Sequence, residues 1–312
     1  MHIAEGILPL EHAALWDLVC APFVAMGVRH TRHILREGSI EERALTAMAG
    51  ALVFVVTLFP VPVPIVGVSS HMCATPMLAL LLGIRAMVLP SLLVLALQAL
   101  FFAHGGLTTL GANTLSLGVI GPAVAVALAY SLTVFRLPAG VRIGIACMCA
   151  DLAVYVADAV IVGGALAGQK PFSHWFVVLL LGFAPVQLPL AVLEGVFSTF
   201  LVRALAQRRP ELAPAWLGVS SPPATPVALS LLLAVMLFPT PVRAEAPYPG
   251  LDEAIMAATA ERAGRPASAA LIELEGSEMG RALLMLSAFS AGVIVGVSWH
   301  RLGSTSRRPH AP

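Results

Sequence analysis

The sequence begins MHIAEGILP, which sets a histidine directly beside the amino terminus. A free α-amine has a pKa near about 8, so a metal ion can displace its proton at neutral pH. The Met1 amine, the backbone nitrogen of His2 once deprotonated, and one ring nitrogen of His2 can then close fused chelate rings. Three nitrogens lie in a plane and a fourth corner stays open. Square-planar nitrogen geometry suits Ni(II) or Cu(II), whereas imidazole ligation as such is shared by several transition metals. A second-position histidine can also simply dangle in solvent, so the metal reading needs support from elsewhere in the chain.

GVSSHMCATPM supplies it. His71 stands in a polar break between apolar runs and offers the fourth nitrogen. Cys73 is a softer candidate that reads more simply as packing, and Met72 and Met77 read as core. A third stretch, FFAHGGLTTLGANTLSLGVIGP over residues 101–122, follows His104 with two glycines that allow close backbone approach. Thr108, Thr109 and Asn113 there could line a cavity or pin a neighbouring loop. Asp151, Asp158 and Glu194 lie in apolar runs, and ionisable groups at membrane depth are functional by default. Asp151 and Asp158 share one helical face. The acids either line a cation path, or hydrogen-bond helices together, or meet a coupling subunit.

The elements that must hold these groups are membrane helices. Of 312 residues, 58% are hydrophobic and only 11% charged, and the mean hydropathy is +0.90. A soluble domain carries roughly 25% charged residues. Lys+Arg 18 against Asp+Glu 17 leaves no basic excess for nucleic acid. The four cysteines, Cys20, Cys73, Cys147 and Cys149, lack CxxC spacing and a secreted framework, so no disulfide is expected. A crossing helix needs about 20 mostly apolar residues. Such runs occur near 13–28, 44–64, 86–104, 113–134, 141–167, 175–202, 224–242 and 281–299. A shorter one, near 71–84, contains Pro76 and ends at Gly83 and Arg85. It is expected to span with an irregular outer end, which is tolerated only where protein or a cavity covers it. The prediction is an all-α polytopic membrane protein with about nine transmembrane helices.

Placing the amino terminus outside puts Arg29, Arg32, Arg36, Arg43, Arg85, Arg136, Arg142, Arg203, Arg208, Arg209, Arg301, Arg307 and Arg308 on the cytoplasmic side. Lys170, Arg243, Arg262, Arg265 and Arg281 fall outside, a positive-inside bias that leaves the carboxyl terminus cytoplasmic. No charged n-region precedes Met1-His2, so they are expected to form the mature terminus. Three parts follow: a metal-binding membrane domain over 1–206, a cytoplasmic linker over 207–223 (RRPELAPAWLGVSSPP at its core), and a two-helix part over 224–312 with an acidic outer loop. The 224–246 segment ends PVRAEA and could pass for an internal signal sequence; an uncleaved span is the preferred reading.

Together these stretches resemble the CbiM/NikM family, the substrate-binding membrane subunits of energy-coupling-factor transporters for cobalt and nickel. MHIAEGILP is similar to the family's M-H-I-x-[DE]-G opening, SSHMCATPMLALLLG to its S-x-H motif, and AHGGLTTLGANTLSLGVIGP to its most recognisable stretch. ADLAVYVADA, with Asp151 and Tyr155, and LPLAVLEGVFS, with Glu194, are weaker echoes. The resemblance covers roughly 1–206. The remainder looks like the companion subunit CbiN/NikN or a PDGLE-type domain. The family's ligands carry over to the Met1 amine, the backbone nitrogen and ring of His2, and His71. Its amino-terminal loop folds inward as a plug, with Glu5 and Gly6 turning the chain. His104, Thr108 and Asn113 then look like groups behind the ligands or loop anchors. Ala4 and the Met72-Cys73 pair depart from the common pattern, at positions suited to tuning metal preference.

The resemblance implies a multi-pass component of the inner (plasma) membrane that binds Co(II) or Ni(II) as cargo, with no organic cofactor. It would be no enzyme in itself. No GxxxxGK[ST] phosphate loop occurs in the sequence, so a coupling transmembrane subunit and cytoplasmic ATPases are the implied partners. Two other readings stay open. An intramembrane metal-dependent hydrolase would need an open metal position, and neither HExxH nor GxSxG is found. A passive metal channel would transport without ATP. Cobalt and nickel stand level on sequence.

Overall fold

The computed structural model describes residues 2–58, 61–63, 68–102, 104–168 and 170–219, together with Gly264. Helix α1 (Leu10–Glu37) begins after Pro9 and stops at Gly38. Helix α2 (Ile40–Thr57) opens on a capping box. Ser39 Oγ accepts from the Glu42 N–H at 3.2 Å, and Glu42 Oε2 accepts from the Ser39 N–H at 2.7 Å, which satisfies two of the amide donors left over at a helix start. The second apolar run was expected to stay helical to residue 64. Helix α2 ends at Thr57 instead, and a small antiparallel hairpin follows, β1 (Val61–Val63) pairing with β2 (Val68–Ser70), Val61 opposite Ser70. The prolines of FPVPVPIVG explain the change: a proline has no N–H to donate and clashes with the preceding turn.

Residues 71–74 are non-helical, and helix α3 (Thr75–Leu82) starts only at Thr75. Eight residues at 1.5 Å each extend about 12 Å, well short of a bilayer core, so the third run does not cross as a continuous helix. Helix α4 (Ile84–Phe102) follows directly. The next run divides into α5 (Leu110–Thr114), a π-helical stretch Leu115–Ile120, and α6 (Gly121–Ser131). Helices α7 (Ala139–Leu166) and α8 (Phe172–Arg208) complete the described fold. Apart from the hairpin it is helical. Among the described residues four stretches are long and apolar enough to cross a membrane: Ile84–Phe102, Leu110–Phe135, Ala139–Leu166 and Phe172–Arg208. The apolar runs near 224–242 and 281–299 lie outside the described residues.

Helices α7 and α8 approach closely because small residues meet. A Cβ on Gly195 would sit 2.6 Å from the Gly144 carbonyl oxygen, and Thr199 Oγ1 donates to the Gly140 carbonyl at 3.0 Å. Small side chains and hydroxyls are what hold helices together in lipid, where apolar burial no longer drives association. Leu181, Leu188, Val192 and Val196 form an exposed stripe on α8, the face suited to lipid. Gln187, Glu194 and Ser198 are buried on the inward face. The amino-terminal residues Ile3, Ala4, Ile7 and Leu8 are buried against Ala112, Ala159, Val162 and Leu179. Residues 3–8 are thus part of the core.

Candidate metal centre

Three non-helical segments converge, and each delivers one histidine. The first is the amino-terminal segment, held by the 104–114 stretch. Asn113 Oδ1 accepts from the Ile3 N–H at 2.7 Å, while Asn113 Nδ2 donates to the Ile3 carbonyl at 3.0 Å. Thr109 Oγ1 donates to the same carbonyl at 2.6 Å. Two residues on, the Glu5 carboxylate accepts from the Thr108 N–H at 3.1 Å and its hydroxyl at 2.6 Å. Gly6, at φ 77°, then turns the chain, a conformation that glycine adopts without steric cost. Gly106 lets the two segments touch, since a Cβ there would lie 2.7 Å from Glu5 Cα. Together these contacts fix His2.

The second segment, 70–74, is held from α7 and α8. His71 Nδ1 lies 3.0 Å from the Met72 carbonyl; a carbonyl only accepts, so the proton sits on Nδ1 and Nε2 carries the lone pair. A second-position hydrogen bond of this kind fixes the tautomer of a metal-binding histidine. Tyr155 clasps the His71 backbone, accepting from its N–H at 3.2 Å and donating to its carbonyl at 3.3 Å. The Tyr155 hydroxyl also meets Ser70 Oγ at 2.6 Å. Ser70 donates to Gln187, and Gln187 donates to Asp151. The Cys73 thiol donates to Asp151 Oδ1 at 3.1 Å. Glu194 closes the arrangement, its two oxygens accepting from the Cys73 and Ala74 N–H groups at 3.1 and 3.0 Å. Ala74 has φ 59°, left-handed and costly by about 1–2 kcal/mol for a residue with a Cβ. The Glu194 contact is what holds it there.

The third histidine, His104, lies just beyond helix α4, its N–H donating to the Gln98 carbonyl at 3.2 Å. Gly105, at φ 81°, swings the chain beside His2. Gln98 itself donates to Thr57 Oγ1 at 2.7 Å and borders the His2 ring.

His2, His71 and His104 are all buried, and one ligand atom from each lies within 4.8 Å of the others. Ring centroids are 4.6 Å apart for His2–His71, 4.3 Å for His2–His104 and 5.3 Å for His71–His104. Nε2 of His2 and of His71 has no hydrogen-bond partner among the described residues. Burial, then the neighbouring His104 and His71, holds the His2 imidazole well below its usual pKa. The ring is therefore neutral, the state in which imidazole binds metals.

Most of the residues singled out in the sequence thus meet in one region. Met1 lies outside the described residues. His104, expected from the resemblance to stand behind the ligands, is a member of the histidine cluster itself. Thr108 and Asn113 touch the amino-terminal segment. Asp151 and Glu194 bind the backbone and thiol of 73–74, and Asp158 is buried two turns further along α7. Sequence reasoning overlooked Ser70, Gln187 and Asp17, whose Oδ1 accepts from the Gly111 N–H at 2.8 Å. A glutamine in the apolar run 175–202 was the available signal for Gln187.

Three buried imidazoles are a donor set suited to a transition-metal ion, and comparison with known proteins points to metal transport. Residues 2–212 match the family described as the cobalt uptake substrate-specific transmembrane region, CbiM. The chain belongs to the CbiM family. It is 36% identical to a cobalt transport protein CbiM of Geobacter sulfurreducens, over 98% of this chain and 91% of the relative. A cobalt transport protein CbiM of Sorangium cellulosum is 37% identical over 68% of this chain and 94% of its own length. Among solved structures, a truncated transition metal transporter superposes with a TM-score of 0.59 at 22% identity, covering 67% of this chain and 99% of that one. That likeness speaks for the fold. The chain is a membrane component of cobalt uptake.

Proposed function

We propose that the chain is the substrate-binding subunit of an energy-coupling-factor importer, taking up divalent cobalt and, less favourably, nickel. The metal is held by the Met1 amine, the backbone nitrogen and ring of His2, and His71, while Thr108 and Asn113 keep the amino-terminal segment folded inward. The observation that carries this reading is the meeting of His2 and His71, from segments 69 positions apart, as buried rings with ligand atoms within 4.8 Å. Burying an unpaired polar nitrogen is costly, and a metal ion compensates both at once. Cobalt is preferred because the family description and the relatives named above are all of cobalt transport.

The subunit is not an enzyme and carries no organic cofactor. Energy comes from a coupling transmembrane subunit and cytoplasmic ATPases. It crosses the inner membrane about nine times with the amino terminus outside, 1–206 forming the metal-binding domain and 224–312 a companion-subunit-like part joined through 207–223. The Sorangium relative, matched along nearly its whole length, covers 68% of this chain, while the Geobacter relative covers 98%, which supports the last part being an addition that some relatives share.

Isothermal titration of Co(II), Ni(II) and Zn(II) into detergent-purified protein tests the reading. The native terminus is compared with a version carrying two residues ahead of Met1. Loss of tight binding in the extended, folded protein is expected. Equal binding by both would remove the Met1 amine and the chelate with it.

A further inference from the structure

We propose that His104 is a third imidazole ligand of the metal, standing off the plane of the other donors, and that it tilts the site toward cobalt. The inference rests on the reading of His2 and His71 as ligands and adds one donor to them. At metal–nitrogen bonds of about 2.0–2.1 Å, two imidazole centroids at right angles about one ion are about 4.5 Å apart, about 5.1 Å at the tetrahedral angle and about 6.3 Å when opposed. The three observed separations are 4.3, 4.6 and 5.3 Å. All three rings therefore sit as neighbours around one point, and no pair is opposed. The ligand atoms lie within 4.8 Å of one another, so an inward movement of about 1 Å by each side chain closes them on an ion at bonds of about 2.0–2.1 Å.

The direction of approach follows from what is already occupied. On the proposed ligand set, the Met1 amine, the His2 backbone nitrogen, the His2 ring and His71 would take the four corners of a plane. His104 lies near the right-angle separation from the His2 ring, at 4.3 Å, and near the tetrahedral one from His71, at 5.3 Å; a corner opposite His71 would need about 6.3 Å, so His104 stands off the plane, tilted away from His71. Its ring is inclined 62° to that of His2 and 66° to that of His71. The position is built in: the His104 N–H donates to Gln98, Gly105 takes φ 81°, and a Cβ on Gly105 would lie 3.4 Å from His2 Cβ. Affinity order alone favours nickel over cobalt, and square-planar nitrogen sites suit Ni(II) and Cu(II). A pre-placed axial imidazole offers Co(II) a fifth bond that a square-planar ion does not use.

X-ray absorption of the Co(II)-loaded full-length protein counts the imidazoles directly, alongside Co(II) d–d absorption and Co(II) and Ni(II) titrations of wild type and His104→Gln. Three imidazoles in the wild type and two in His104→Gln are expected, with Co(II) binding weakened at least about 10–100-fold, the range typical even for groups behind a ligand, and Ni(II) weakened less. Two imidazoles on Co(II) in the wild type overturn the inference, whatever the variant's folding. His2→Ala and His71→Ala separate the two failures. If they abolish binding while the wild type counts two imidazoles, only the His104 inference falls. If they leave the Co(II) spectrum unchanged, the underlying site falls with it.

Discussion

Asn113 holds Ile3 as a neighbouring β-strand would, accepting from its N–H at 2.7 Å and donating to its carbonyl at 3.0 Å. One side-chain amide thereby satisfies both backbone groups of a residue that is fully buried. Asn113→Leu leaves the Ile3 N–H without an acceptor, a cost of about 1–3 kcal/mol. Asn113→Asp keeps the acceptor but turns a carboxylate toward the Ile3 carbonyl. Both variants are expected to loosen His2 and weaken cobalt binding, measured by titration, and to speed hydrogen exchange in residues 2–8. Thr108→Val, which removes one bond to the half-buried Glu5, should weaken binding less than either. Equal losses for all three would mean that Asn113 has no special hold on the segment.

Gly111 tests whether α1 must lie against α5. A Cβ there would stand 2.3 Å from Asp17 Oδ1 and 2.5 Å from Asp17 Cα. Since the second atom is backbone, Gly111→Ala forces the helices apart, and overpacking of this kind costs about 1–3 kcal/mol or more. Thermal unfolding in detergent should show a clear loss that Asp17→Ala does not restore. Restoration by Asp17→Ala would put the close approach at the carboxylate alone.

Much of the centre was legible in the sequence because its parts are polar residues in an apolar chain. His2, His71, His104, Thr108, Asn113, Asp151 and Glu194 each interrupt a pattern that otherwise asks only for burial. Their partnerships were harder to read. Glu194 and Asp151 looked equally suited to a cation path or to hydrogen bonding, since helical periodicity gives a face and not the neighbour on it. The contacts of Glu194 with Cys73 and Ala74 span more than a hundred residues. The short α3 and the hairpin before it were blurred by hydropathy averaging, which registers valines in FPVPVPIVG and misses the proline geometry. Ser70 and Gln187 carry no charge and were passed over for that reason.

Cys73 separates ligand from support. Its thiol donates to Asp151 at 3.1 Å, so Cys73→Ser retains a donor of similar reach. The Co(II) protein is expected to show no sulfur-to-metal charge-transfer band, and Cys73→Ser should bind cobalt within a few-fold of wild type. A near-ultraviolet charge-transfer band that disappears in Cys73→Ser would make the thiol a ligand and move the site inward toward α7.

Glu194 is the stronger support, because its two oxygens serve two consecutive N–H groups and one belongs to Ala74 at φ 59°. Glu194→Gln keeps one acceptor and turns an amide NH2 against the other N–H, leaving a buried donor facing a donor. The 71–74 segment should then relax toward an ordinary backbone conformation and carry His71 out of register. Cobalt binding is expected to fall about 10–100-fold, as for groups that orient a ligand, with the helices still folded. Ala74→Gly removes the Cβ that makes the left-handed turn costly, so in the double variant with Glu194→Gln it should recover part of the lost affinity. A carboxylate that conducts the ion has no such dependence on residue 74: binding in Glu194→Gln would stay near wild type while uptake failed, and Ala74→Gly would restore nothing.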